Sequence, residues 1–490
     1  MKTPILGSAY VARSINAADA RMVNLFPEVV PEGGIEPAFL NRAPGLNFLQ
    51  TVGTGPIRGL WAHQTNGTDF YVVSGTEVYK LTALNGTPVK LGDVSGTGPV
   101  SIADNGGVIF FACNGPSFTY YEPTNSFDAI TDVNFPGAVT VSYLDTQFIF
   151  NEPDSQRIWS VDTINPANGD YIYPLVFNAL YFSSADGSPD GVIAVNADHR
   201  QLWVFGTDST EVWYNAGLAN FPLTPIQGAF NEIGCVAAFS VAKLDNTLFW
   251  LGTDARGQGI VYRANGYAAT RVSTHAIEYA IAQYGNLSNA LAYTYQQEGH
   301  SFYVLTFPSA NATWVYDVST QAWHERAGWD TAAGEFTRHR SNCQCNFGGN
   351  IIVGDFENGN IYTLDLDVYA DNGAIQKWLR SWRALPAGQN TLKRTAQHSL
   401  QLNCESGTGL NTGQGSDPEI MLRFSDDGGH TWSNEHLSKM GKIGEYYRRV
   451  FWRRLGMTLK LRDRVYEISM TDPVKVAIMG AELLISPTNA

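Results

Sequence analysis

The chain has 490 residues, with charged side chains at 16%, aromatics at 12% and 48 glycines, against about 25% charged in ordinary globular proteins. That balance fits many short strands and tight turns rather than long charged helices, and the length suits about two or three domains. A formal net charge of −14 argues against a protein that coats nucleic acid with its whole surface.

Residues 1–55 read as an extended N-terminal arm. Pro27, Pro31, Pro37 and Pro44 break any helix or central strand there, so the arm is expected to pack along something larger, such as a neighbouring subunit. The opening MKTPILGSAYVARS lacks the apolar run of a secretory signal. No stretch approaches a membrane-spanning length of uncharged apolar residues, so no membrane anchor is expected.

From residue 56 to 370 one phrase recurs seven times: an apolar strand, a Gly/Asn/Asp/Ser-rich turn, and a second strand carrying an aromatic. The copies are FYVVSGTEVYKL from Phe70, VIFFACNGPSFTYY from Val108, QFIFNEPDSQRIWSV from Gln147 and LWVFGTDSTEVWY from Leu202. LFWLGTDARGQGIVYR from Leu248, FYVLTFPSANATWVYDV from Phe302 and IIVGDFENGNIYTLD from Ile351 complete the set. Their starts lie roughly 38 to 55 residues apart, close to the ~40–50-residue period of four-stranded propeller blades. One hairpin cannot bury both its faces, so each copy needs neighbours around an axis. The expectation is an all-β chain: a β-propeller of about seven blades, with six as the fallback. Asn66-Gly67, Asn85-Gly86, Asn105-Gly106 and Asp190-Gly191 mark turns between strands. One short helix is expected after Arg271, capped by Ser273 or Thr274, with Ile277, Ala280 and Ile281 as its apolar face.

A domain change falls around Asp371–Pro386. Beyond it the runs HSLQLNC, EIMLRF, VYEISM and VKVAIMGAELLI predict a C-terminal β-sandwich over 375–490. From Ile375 onward there are 16 Lys and Arg against 11 Asp and Glu, a balance of +5. The preceding 374 residues hold 16 against 35, or −19. Such asymmetry marks a second domain with a different partner.

Five cysteines, Cys113, Cys235, Cys343, Cys345 and Cys404, form no regular framework and point to free thiols in a reducing compartment. Cys343-Gln344-Cys345 has no further ligands at zinc spacing, and Asp365, Asp367 and Asp371 resemble a calcium loop only loosely. The Gly53-Thr54-Gly55 and Gly407-Thr408-Gly409 steps lack the strand–helix context and the third glycine of a dinucleotide fingerprint. No metal, cofactor or catalytic residue is therefore assigned.

The sharpest local motif is Ser425-Asp426-Asp427-Gly428-Gly429-His430-Thr431-Trp432, an Asp-box with Ser425, Asp427, Gly429, Thr431 and Trp432 at its fixed positions. Its logic is structural: Asp427 accepts from turn amides, Gly429 permits positive φ, and Trp432 buries itself in the adjacent sheet. Asp-boxes are familiar from sialidase propellers, so a glycan-binding or sialidase-like propeller on a fibre is the alternative reading. It would need a converging arginine cluster, but Arg58, Arg157, Arg200, Arg256, Arg263 and Arg271 share no position in the repeat.

The run from Lys442 to Arg464 interleaves Arg448, Arg449, Arg453, Arg454, Lys460 and Arg462 with Tyr446, Tyr447, Phe451 and Trp452. In an extended strand Arg449 and Arg453 would share a face with Phe451, and Arg448 and Arg454 the other with Val450 and Trp452. Both faces are then mixed. Arg448, Arg449, Phe451, Trp452, Arg453 and Arg454 are the candidate interface, suited to an acidic protein surface or to nucleic acid.

Several segments, in order, resemble the packaged-DNA stabilisation or tail hub (nozzle) proteins of P22-like short-tailed phages. They are PILGSAYVARSINAADARMVNLFPE with Asn24, Pro27 and Glu28, then Ala43-Pro44-Gly45-Leu46, and Arg271 through Glu278. SDDGGHTWS, YYRRVFWRRLGM and DPVKVAIMGAELLI follow in the C-terminal part. The resemblance implies a virion tail protein, assembled in the host cytoplasm as a ring of six self-associated subunits. It implies a place below the portal and its adaptor (head-to-tail) protein, with tailspikes or fibres outside and a tail needle or plug closing the channel. Packaged double-stranded DNA would pass through without sequence-specific binding. The family carries no catalytic residues to transfer.

Overall fold

The computed structural model describes residues 1–488 other than 16–17, 35, 64–66, 254–256, 258, 387–393 and 460–463. Asn66, Arg256, Lys460 and Arg462 therefore lie outside the described residues. Among the described residues, seven four-stranded antiparallel units follow one another. Blades one to four are 57–93, 101–129, 141–184 and 192–231, and blade six is 291–325. Blade five, 234–271, has a divided first strand, Gly234–Cys235 and Ala242–Leu244, both paired with Thr247–Thr253. Blade seven takes three strands from 341–365 and its fourth, Gly45–Thr51, from the N-terminal segment. Each of the seven sequence repeats is the middle hairpin of a blade.

The middle strands are apolar at successive positions because both their faces are covered. In blade one Phe70 and Val72 enter a cluster with Phe347, Ile352 and Ile361 of blade seven, while Tyr71 and Val73 pack with Ile109 and Phe111 of blade two. The same division recurs around the molecule, giving one apolar cluster in each gap between neighbouring blades.

The innermost strands line the axis and are more polar. Their hydroxyl and amide side chains stitch one blade to the next. The Val141 amide donates to Ser101 Oγ at 3.1 Å, and Val195 and Ala197 donate to Thr140 Oγ1 and Ser142 Oγ at 2.9 and 3.2 Å. Thr294 Oγ1 donates to the Lys243 carbonyl at 2.7 Å, and Asn342 Nδ2 to the Ile57 carbonyl at 2.9 Å. These bonds satisfy edge backbone groups that no further strand reaches. A polar axial cavity of about 550 Å³ remains.

The expected helix is His275–Ala282. Thr274 caps it by accepting from the Ile277 amide, while Ser273 instead donates to Glu278. Ile277 and Ile281 close the core between blades five and six.

The C-terminal sandwich has two sheets. One orders Trp378–Arg383, Val465–Met470, Glu419–Ser425 and His436–Lys439. The other orders Val450–Arg453, Thr395–Cys404 and Ala477–Pro487, and is extended by Ala38–Arg42 and Leu25–Val29. All four expected C-terminal runs form strands here. Trp378, Trp382, Tyr466 and Trp452 fill the core with aliphatic side chains from both sheets.

Residues 1–55 are more ordered than the extended arm expected. They hold short strands, and what they pack along is the chain's own two domains. Lys2–Thr3 pairs with Ala477–Pro487, and Met22–Val23 bridges Glu325 of blade six to Trp378–Arg383 of the sandwich. Pro27 lies in an edge strand, where its missing N–H is tolerated. Asn24, at φ 53°, is where three segments meet. Its side chain donates to the carbonyls of Ala327 and Lys377 at 2.8 Å and accepts from the Ala327 amide at 2.9 Å.

Arg42 clasps the same junction. Its buried guanidinium donates to the carbonyls of Tyr369, Gln376, Asp472 and Val474 and to Gln376 Oε1, at 2.5–3.1 Å. Arg42→Met leaves those carbonyls unpaired, so a loss of about 3 kcal/mol or more is expected, read as a lower denaturation midpoint.

Beside it, burial pushes the Asp371 carboxyl from 3.8 up to about 7, against the lowering effects of Gln376 and Arg42. A folded-state pKa above the unfolded one gives stability that is full below 3.8 and lost as pH rises to about 7. Chemical denaturation across pH should show Asp371→Asn gaining on the native chain from pH 3.8 to about 7, then levelling off. A constant difference across that window contradicts the assignment.

Candidate interaction surface

Val450–Arg453 is the edge strand of one sandwich sheet, facing His436–Lys439 at the edge of the other. The Phe451 amide donates to Ser438 Oγ at 3.0 Å, and Trp452 Nε1 donates to the His436 carbonyl at 2.8 Å. Val450 and Trp452 enter the core, Phe451 is half-buried and Arg453 is exposed, its guanidinium 4.9 Å from the Phe451 ring. The mixed faces expected from the sequence are thus corrected. The strand is only four residues long and is apolar on one side. Arg448 closes the turn before it, its amide donating to the Glu445 carbonyl at 3.1 Å, Arg449 links that turn to the strand, and Arg454 leaves it at φ 60°.

Trp452 is therefore a core residue and not an interface residue. Arg464 also leaves the basic surface. It is buried, paired with both Asp426 carboxylate oxygens at 2.6 and 2.7 Å, donates to the Leu455 carbonyl, and stacks 4.0 Å over Phe424. Arg448, Arg449, Arg453 and Arg454 remain exposed and make no ion pair among the described residues.

The most exposed aromatic groups nearby, Tyr446 and Tyr447, belong to the turn before the strand, with Ile443 beside them. Ile443, Tyr446 and Tyr447 are 56%, 75% and 83% exposed, yet their backbone is fixed. Gly444 N donates to the Gly407 carbonyl at 3.1 Å, and Ser406 Oγ to the Tyr446 carbonyl at 2.9 Å. Gly407, at φ 79°, fits under Tyr446, whose ring would lie 2.8 Å from an added Cβ. The glycine-rich loop from Glu405 to Pro418 is thus the backing of a firm tip. The sequence signal for the tip was the Tyr446-Tyr447 pair after Gly444, and Ile443 carried none.

The Asp-box joins Glu419–Ser425 to His436–Lys439. Asp427 accepts from the His430 and Thr431 amides at 3.0 and 2.9 Å and from the Ser425 and Thr431 hydroxyls at 2.6 Å. Those hydrogen bonds, Ser425's first, hold its carboxyl well below the usual range. Gly429, at φ 105°, lies against Asp19 of the N-terminal segment. Trp432 departs from the expected burial: it is half-buried, covered by the Arg423 guanidinium at 4.8 Å.

The remaining sequence candidates do not converge. Arg58 is buried and donates to the carbonyls of Gly75, Ser95 and Gly98. Arg157 stacks on Phe182, Arg200 pairs with Asp145 and Arg271 with Glu278. Burial pushes the Cys345 thiol up to about 12 and the Cys343 thiol higher still. Among the described residues, no three His, Cys, Asp or Glu side chains form a metal cluster.

Comparison with known proteins follows the same division of the chain. A family model described as bacteriophage P22 Gp10, beta-propeller, matches residues 1–369, and one described as bacteriophage P22 Gp10, beta-sandwich, matches 377–486. No curated protein matches. Similar solved structures include a putative 6-phosphogluconolactonase from Bacteroides fragilis, 12% identical over 65% of this chain and 96% of that one, with a TM-score of 0.39. The N-terminal domain of Nup159 is 9% identical over 69% and 97%, at 0.40, and the Pan2 WD40 domain of Neurospora crassa 8% over 63% and 89%, at 0.39. With both domain models in register over nearly its whole length, the chain belongs to the bacteriophage P22 Gp10 family of phage structural proteins.

Proposed function

We propose that this protein is a tail hub: a ring of six copies that extends the portal–adaptor channel, keeps packaged DNA in the capsid and takes part in its ejection. Membership of the P22 Gp10 family is the observation that carries the reading. The ring meets the portal adaptor above, a tail needle or plug below and a tailspike or fibre at its side.

The propeller axis does not carry the DNA. A duplex is at least ~16 Å across, each groove being about 8 Å deep. Passing strands of about six residues, or ~20 Å, it would fill on the order of 4000 Å³, against about 1570 Å³ of atom-free space in the axial cavity. The lumen therefore lies between copies. With −19 on the first 374 residues, its wall is neutral or acidic. Each cation that neutralises a phosphate adds counterion-release affinity and would hold a genome that has to leave quickly. Acidic walls keep the duplex centred, and retention falls to the plug.

The test is a phage lacking this chain. Heads should fill normally and then lose their DNA, measured as nuclease-sensitive genome and empty particles, with recovery when the chain is added back. Particles that keep their DNA without it contradict the reading.

A further inference from the structure

The sandwich tip presents Ile443, Tyr446 and Tyr447 beside the exposed Arg448, Arg449 and Lys442. Rigid tyrosines next to arginines are the composition of interface hot spots, and this turn is held from behind by backbone and hydroxyl hydrogen bonds. A tip that projects side chains but fixes its backbone loses little conformational entropy on binding.

The charge of the chain points to its occupant. The domain bearing the tip carries +5 and the rest of the chain −19, so the most available acidic surface is the propeller of another copy. One place there combines a recess with acidic side chains unpaired among the described residues. At the mouth of blades five to seven an open recess of about 710 Å³ is lined by Asp245, Gln296, Gln297, Asn350 and Asp365. Exposed Glu298 stands on the adjoining hairpin turn and Asp367 just beyond Asp365. Lys243 on its wall is already paired with Asp198, and Asp245, Glu298, Asp365 and Asp367 form no ion pair among the described residues.

We infer that the Tyr446–Tyr447 tip of one copy docks into the acidic recess at the mouth of blades five to seven of a second copy. The contact is heterologous, since two different patches meet, and repeated head-to-tail it closes a ring when the rotation allows. Tyrosine rings bury ~150–250 Å² each and fill the recess, while Arg448 and Arg449 face the carboxylates at its rim. This deepens the hub reading and rests on it for the ring.

Two cysteines test it: Tyr447→Cys with Gln296→Cys, oxidised both in the purified protein at low salt and in assembled particles, with either single variant as control. A ladder of covalent multimers that needs both cysteines supports the contact. No ladder in either preparation overturns it. Charge exchange is the second arm. Arg448→Glu with Arg449→Glu, and separately Asp245→Arg with Asp365→Arg, should each cut self-association or incorporation about tenfold or more, and the fourfold variant should restore it. Tip variants that associate normally but lose binding to duplex DNA or adaptor overturn the inference in favour of that partner. Particles that hold DNA without the chain would sink the hub reading instead, leaving the ladder to judge the contact.

Discussion

The backbone pairing of Gly45–Thr51 with Asn360–Asp365 turns seven blades from an open arc into a ring. Without it the outer edge of blade seven is unpaired and the cluster shared with blade one loses Val52 at its margin. The closing strand comes from the same stretch that supplies Leu25–Val29 and Ala38–Arg42 to the sandwich. Neither domain is complete on its own, although their family models divide cleanly along the sequence. Ring closure and domain docking are one event, and Arg42 and Asn24 stand where they meet.

That seam is dearly held. Between blades six and seven, His324 is buried among Phe26, Phe302 and Arg326, and among the described residues neither ring nitrogen finds a partner. Burial first, then the Arg326 charge, drives its pKa well down, so the ring stays neutral. An unpaired buried polar group costs about 1–3 kcal/mol. The weave of N-terminal strands has to offset this, as does the apolar packing of Phe26 against Phe302 at 5.5 Å.

The middle hairpins were legible because two covered faces leave a continuous apolar run, as in VIFFA from Val108. The inner strands were not: Ser101, Thr140 and Ser142 are polar for the axis and look like loop residues in sequence. The N-terminal strands were hidden by their prolines and by lengths of two to five residues, several of which, such as Met22–Val23, pair with segments hundreds of positions away. The basic run misled for a different reason. Charge in a sequence has no direction, and only the fold turns Arg464 inward to Asp426 while leaving Arg448 and Arg449 outside.

A propeller that binds a small ligand commonly uses its axial funnel, because inner-strand side chains converge there. Here several of those side chains are already committed. Ser101, Thr140, Ser142, Thr294 and Asn342 bond the neighbouring blade, and Lys243 pairs with Asp198. A ligand at the axis would compete with bonds that hold the ring closed. Exposed groups without such duties stand at the sandwich tip and on the hairpin turns around the propeller mouth. Function carried by those surfaces needs a second body to complete it, as an assembly protein does.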